Sequence, residues 1–135
     1  MMRYIFPLCV LVCFAISSCN NDNISNHDNN MPDDEKELRN LIAQHPDSSL
    51  LTENLIQYFR ENERYDQAIA ETDKAISKDT SNDRWWDIRA ILYFENADTL
   101  HAIQSYERAI DINPDPQYIM SLGSLYAQTG NPKAL

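Results

Sequence analysis

The stretch "HAIQSYERAIDINP", residues 101–114, sets Ala102, Tyr106 and Ala109 on one helical stripe and closes with Pro114. Thirty-four residues earlier, "QAIAETDKAISKDT" (67–80) carries Ala68, Ile69, Ala75 and Ile76 where the later stretch has Ala102, Ile103, Ala109 and Ile110. The same shift aligns 49–82 with 83–116 throughout and adds the identities Glu61/Glu95 and Asn62/Asn96. Lys74/Arg108, Asp73/Glu107 and Phe59/Tyr93 match in character. Apolar and small residues at helical spacing, recurring at a fixed period, point to stacked helical units.

A 34-residue period with these residues resembles the tetratricopeptide repeat, a pair of antiparallel helices with the pattern W-x₂-L-G-x₂-Y, then A-x₃-F, a second small residue and a proline. The second unit, 83–116, matches with Trp86, Ala90 in the glycine slot, Tyr93, Ala102, Tyr106, Ala109 and Pro114, although Arg89 replaces the leucine. The first unit, 49–82, is looser: Leu55, Ile56 and Phe59 lie on its first helix and Ala68 and Ala75 on its second. Thr72 takes its aromatic slot and Thr80 stands in the place of the proline. Leu122, Gly123 and Tyr126 reproduce L-G-x₂-Y in an incomplete third unit, 117–135, with a turn at Gly130-Asn131 and a second helix expected from Pro132. Upstream, Leu38, Leu41 and Ile42 mark 33–48 as a half repeat whose helix covers 33–45.

The expected fold is therefore all-α, an α-α superhelix of about 2.5 to 3 helix pairs over 33–135, stabilised by neighbouring units stacking on each other. Small residues at 90, 102 and 109 allow close helix approach, and Trp86, Tyr93 and Tyr106 fill the space around them. Trp86 is expected in the core; Trp85 is open between packing and a surface anchor. Asp79 and Asn113 fall beside the ends of the second helices, and Pro114 prevents continuation. The sequence ends one turn into the last expected helix, which predicts a fragment of a longer array or a second molecule over the apolar side of 117–129.

The N-terminal segment differs from the repeats. After Arg3, Tyr4 to Ile16 form an apolar run of 13 residues, too short to span a bilayer and suited to the apolar region of a signal peptide. Ile16-Ser17-Ser18-Cys19 resembles the bacterial lipobox. That resemblance implies cleavage after Ser18 (signal peptide 1–18), covalent lipid on Cys19, and palmitate among its acyl chains. Cys9 and Cys13 would leave with the signal, so Cys19 remains as the single cysteine and forms no internal disulfide. Several acyl chains, at about 0.8 kcal/mol per buried CH₂, anchor stably where one is marginal. Asn20 follows where Asp often signals inner-membrane retention in such lipoproteins, which favours the outer membrane of the bacterial cell envelope. Residues 20–32, rich in Asn and Asp, cannot bury enough apolar surface to order themselves and are expected to be a tether reaching roughly 20 Å.

All 21 acids follow Cys19, and without Arg3 ten basic residues remain, for a formal charge of −11. Such a balance disfavours nucleic acid and direct adhesion to anionic lipid. His27, His45 and His101 form no metal-binding pair, and no cysteine survives as a nucleophile. We expect no enzyme, no metal, no cofactor beyond the lipid on Cys19, and no small-molecule substrate.

The resemblance also indicates where a partner would bind. In such repeats ligands touch the concave side at positions 2, 5, 9, 12 and 13 of each first helix. Carried over, these are Leu50, Glu53, Gln57, Arg60 and Glu61, then Arg84, Asp87, Ile91, Phe94 and Glu95, and in the third unit Gln117, Met120, Ser124, Ala127 and Gln128. Positions 5 and 9 lack the Lys, Arg and Asn of repeats that clamp a terminal carboxylate. An extended or helical protein segment with apolar anchors and some basic residues fits better. The expected function is a lipid-anchored scaffold for protein–protein interaction. The alternative is an accessory region of a longer envelope protein whose remaining part carries substrate binding or catalysis.

Overall fold

The computed structural model describes residues 31–130, with side chains from Asp33 onward. Among them are six α-helices and no strand: α1 (Met31–Gln44), α2 (Ser49–Glu61), α3 (Tyr65–Lys78), α4 (Asp83–Glu95), α5 (Thr99–Ile112) and α6 (Pro116–Thr129). The expected signal peptide, Cys19, the expected tether up to residue 30 and the helix expected from Pro132 lie outside the described residues. The helical pattern extends further N-terminally than the tether reading allowed, since α1 begins at Met31 rather than at 33. Asp33 and Asp34 in its first turn complement the partial positive charge of a helix N-terminus. No helix among the described residues is long and apolar enough to cross a membrane.

Helix starts follow from local chemistry. The side chains of Ser48, Asn82, Asp98 and Asp115 accept hydrogen bonds from the first-turn amides of Leu51, Arg84, His101 and Gln117, satisfying donors that the helix itself cannot. The turns inside the pairs repeat as faithfully as the helices. After α2, the Arg64 amide donates to the Phe59 carbonyl and the Glu63 amide to the Arg60 carbonyl; after α4, Asp98 donates to Tyr93 and Ala97 to Phe94. Both are Schellman closures, which require a left-handed residue. Between pairs, Asp79 and Asn113 adopt extended backbone with φ of −143° and −141°, ending α3 and α5 in the same way.

Each helix packs on the next in sequence, from α1 on α2 to α5 on α6, as a solenoid requires. One core cluster joins Leu55, Ile56 and Phe59 of α2 to Ala68, Ile69, Ala75 and Ile76 of α3 and to Trp85 and Leu92 of α4, with Leu38 and Ile42 of α1 against it. The second gathers Ala90, Ala102, Tyr106 and Leu125. Ala68, Ala90, Ala102 and Ala109 have no exposed surface, so a larger side chain there would separate the helices. Thr72, in the aromatic slot of the first unit, is equally buried and donates its hydroxyl to the Ala68 carbonyl at 2.8 Å.

Of the two tryptophans, Trp86 departs from the sequence reading, and Trp85 takes the packing alternative left open for it. Trp85 is the fully packed one, while Trp86 is half-buried against the first cluster, donating its indole N–H to the Thr80 carbonyl at 3.2 Å. The guanidinium carbons of Arg89 and Arg108 lie 5.7 and 5.9 Å from its ring centroid. Arg89, in the leucine slot, also donates to Asp73 Oδ1 at 2.7 Å, Ser105 Oγ at 3.0 Å and Tyr93 Oη at 3.3 Å.

Candidate functional site

The first helices α2 and α4 are one repeat apart and lie side by side. Leu50, Glu53, Asn54, Gln57 and Arg60 recur at three- and four-residue steps along one face of α2; Arg84, Ile88 and Ile91 do so along α4. Between these faces is a pocket of about 230 Å³ whose lining also includes the buried Ile56 and Leu92. Its apolar content is aliphatic: Leu50, Ile56, Ile88, Ile91 and Leu92.

Charge pairs tie the two helices together around this hollow. Arg84 donates to Glu53 Oε2 on α2 at 3.4 Å and to Asp87 Oδ2 on its own helix at 2.9 Å. Arg60 donates through Nε to Glu95 Oε2 on α4 at 2.7 Å and through Nη1 to Gln57 Oε1 at 3.3 Å; Gln57 in turn donates to Glu61 Oε1 at 2.8 Å. The Glu95 contact holds the Arg60 guanidinium above its ordinary pKa. Asp87 is only 8% exposed, and burial pushes its carboxyl above the usual carboxylate range against the opposing pull of Arg84. Glu53, Glu61, Asp87 and Glu95 outnumber Arg60 and Arg84 here, so the surroundings favour an incoming cation beside an apolar anchor.

Leu50, Glu53, Gln57, Arg60, Arg84 and Ile91, all expected to meet a partner, thus line one pocket. Asp87 accepts from Arg84 and is not part of the lining. Phe94, 45% exposed, lies outside the lining, as do Gln117, Met120 and Ser124, exposed on α6. Asn54, Ile56, Ile88 and Leu92 were missed because the positional rule follows outward-facing residues, and a pocket between two helices also takes its floor from buried ones. His101 is exposed, stacked 5.0 Å from Tyr93, with Nδ1 2.6 Å from Asp98 Oδ2. Among the described residues no group of three or more His, Cys, Asp or Glu is placed to hold a metal ion.

Comparison with known proteins bears on the fold. Residues 86–116 match the tetratricopeptide repeat family. No curated protein matches the sequence. Among solved structures, a tetratricopeptide repeat protein from Parabacteroides merdae ATCC 43184 superposes with a TM-score of 0.65 at 26% identity, over 78% of this chain and 43% of its own. MamA from Desulfovibrio magneticus RS-1 superposes with a TM-score of 0.64 at 12% identity, over 78% of this chain and 60% of its own. MamA of MSR-1 gives 0.60 at 17%, over 80% and 63%. The chain thus spans less than two thirds of the length of each, and the two MamA likenesses show the fold alone. The match to the tetratricopeptide repeat over 86–116 thus falls within a helical solenoid of tetratricopeptide-like architecture, six helices of which lie among the described residues.

Proposed function

We propose that the protein is a non-enzymatic, lipid-anchored component of the bacterial envelope that binds a protein segment between α2 and α4. The segment offers an aliphatic side chain to the pocket and a basic residue to the acids around it. The tetratricopeptide fold suggests protein–protein interaction, and the observation that carries the reading is that Leu50, Glu53, Gln57, Arg60, Arg84 and Ile91 line one common pocket. Attachment through Cys19 to the outer membrane is supported by the lipobox-like Ile16-Ser17-Ser18-Cys19 and by Asn20.

A photoreactive residue at Ile91 in intact cells tests the binding face. It should give a discrete protein adduct that Leu50→Asp abolishes and that the same probe at exposed Ser77 on α3 does not give. Identical adducts from both positions would sink the assignment. Cys19→Ala should move the protein from the membrane to the soluble fraction and remove palmitate labelling, and unchanged partitioning would reject the anchor.

A further inference from the structure

A second, larger hollow shares no lining residue with the α2–α4 pocket. It encloses about 620 Å³ between the C-terminal ends of α1 and α3 and the N-terminal half of α2. That is within the ~300–1,000 Å³ of binding sites for small molecules. Its presence follows from the repeat. Thr52, which lines it, stands 34 residues before Trp86. In the second unit the indole of Trp86 occupies the junction between α3, α4 and α5, held by the Thr80 carbonyl, Arg89 and Arg108. The residues 34 positions before those three contacts are Pro46, Leu55 and Lys74, and all three line the hollow. Where the second unit has an indole, the first has a threonine and open space.

We propose that this hollow is a docking site for a tryptophan side chain of a partner protein, seated between α1 and α3 as Trp86 is seated between α3 and α5. The Pro46 carbonyl takes the place of the Thr80 acceptor for the indole N–H, and the Lys74 ammonium takes the place of Arg108 beside the ring face. Leu55, in place of Arg89, adds apolar contact, with Ile42 and buried Ala75 beside it. Both tryptophans of this sequence are built into α4, so neither fills the hollow. Tryptophan is also the side chain most enriched among dominant interface anchors. This site is independent of the α2–α4 reading and can stand or fall without it.

The test uses the full-length chain with ¹⁵N-labelled lysine, whose positions include Lys74 and Lys78 at the hollow and Lys36 on α1 outside its lining. Titration with N-acetyl-L-tryptophanamide should shift the Lys74 and Lys78 amides saturably, with half-saturation on the order of 1 mM for so small a ligand, and leave Lys36 unmoved. N-acetyl-L-leucinamide should give no saturable shift. Thr52→Trp, which supplies the indole from within the chain, should abolish the response; Thr52→Leu, a smaller plug, carries the same expectation if the tryptophan variant does not fold. No saturable shift, an equal response to the leucine amide, or an undiminished response in the plugged variant would each overturn the proposal.

Discussion

Glu63 and Ala97, one repeat apart, share the same left-handed backbone, with φ of 56° and 60°. Each closes its Schellman turn with an L side chain, a conformation that costs roughly 1–2 kcal/mol, whereas glycine adopts it freely at some loss of chain entropy. Glu63→Gly and Ala97→Gly should therefore each stabilise the fold by about 0.5–1 kcal/mol, read as a higher urea midpoint. Ala97→Val should move it the other way, since branching at Cβ makes the strain worse. A lower midpoint for both glycine variants would show that the turns are not strained.

Arg89 replaces the family's leucine and joins α3, α4 and α5 through Asp73, Ser105 and the Trp86 and Tyr93 rings. Its side chain is 20% exposed and Asp73 49%, so the ion pair itself is worth little. The larger contribution is contact of the guanidinium with the Trp86 and Tyr93 rings, whose centroids lie 5.7 and 4.8 Å from its carbon. Arg89→Ala should cost about 2 kcal/mol, the upper end for cation–ring contact, whereas Asp73→Asn should cost less than about 0.5 kcal/mol. Equal losses in thermal unfolding would place the energy in the ion pair instead.

The sequence made the repeat legible because its small residues have one physical use: Ala68, Ala90, Ala102 and Ala109 are fully buried in the packed helices, where a larger side chain does not fit. The order of Trp85 and Trp86 was not legible. In α4 the buried residues Trp85, Asp87, Ala90 and Leu92 do not fall on one stripe, because neighbours cover this central helix on several sides. For the pocket, the positional rule identified rim residues, while its floor came from buried Ile56 and Leu92. The cross-helix polar contacts have a regularity of their own: Arg60–Glu95, Glu53–Arg84, Arg39–Glu71 and Tyr118–Asp83 are separated by 35, 31, 32 and 35 residues. Stacking one repeat on the next makes residues about one period apart neighbours. Which of many such candidates pair depends on side-chain reach, which periodicity does not contain.

Asp87 gives the pH profile a distinctive slope. Burial raises its carboxyl above the unfolded value of about 4, so between that value and its folded value the native state holds more protons than the unfolded state. Its contribution to stability is therefore full at low pH and declines as pH rises through this window. Asp87→Asn should remove that decline and change stability at neutral pH by less than about 1 kcal/mol, because Arg84 keeps Glu53 as partner. Unfolding free energies measured across the window decide it, and an unaltered slope in the variant would reject the assignment.

The junction between α4, α5 and α6 centres on Asp83, whose Oδ2 accepts from Asn113 Nδ2 at 2.9 Å and from the Tyr118 hydroxyl at 3.0 Å. The Asn113 bond, aided by Tyr118, holds the Asp83 carboxyl below the usual carboxylate range, while burial and the Asp83 charge push the Tyr118 phenol up to about 12. The two shifts act at opposite ends of the pH scale. Asp83 contributes stability that is present above its unfolded value of about 4 and lost as pH falls through its folded value. Tyr118 contributes stability that is present below about 10 and lost as pH rises toward its folded value, since the unfolded chain releases the phenolic proton first. Tyr118→Phe should cost about 1 kcal/mol at neutral pH, the usual net worth of one hydrogen bond, because Asp83 retains Asn113. It should also remove one late-ionising tyrosine from the ultraviolet titration of the native protein and flatten the loss of stability above pH 10. A wild-type phenolate titration that Tyr118→Phe leaves unchanged at its upper end would place the hydroxyl in water rather than on Asp83, and α6 would then be held to α4 by apolar contacts alone.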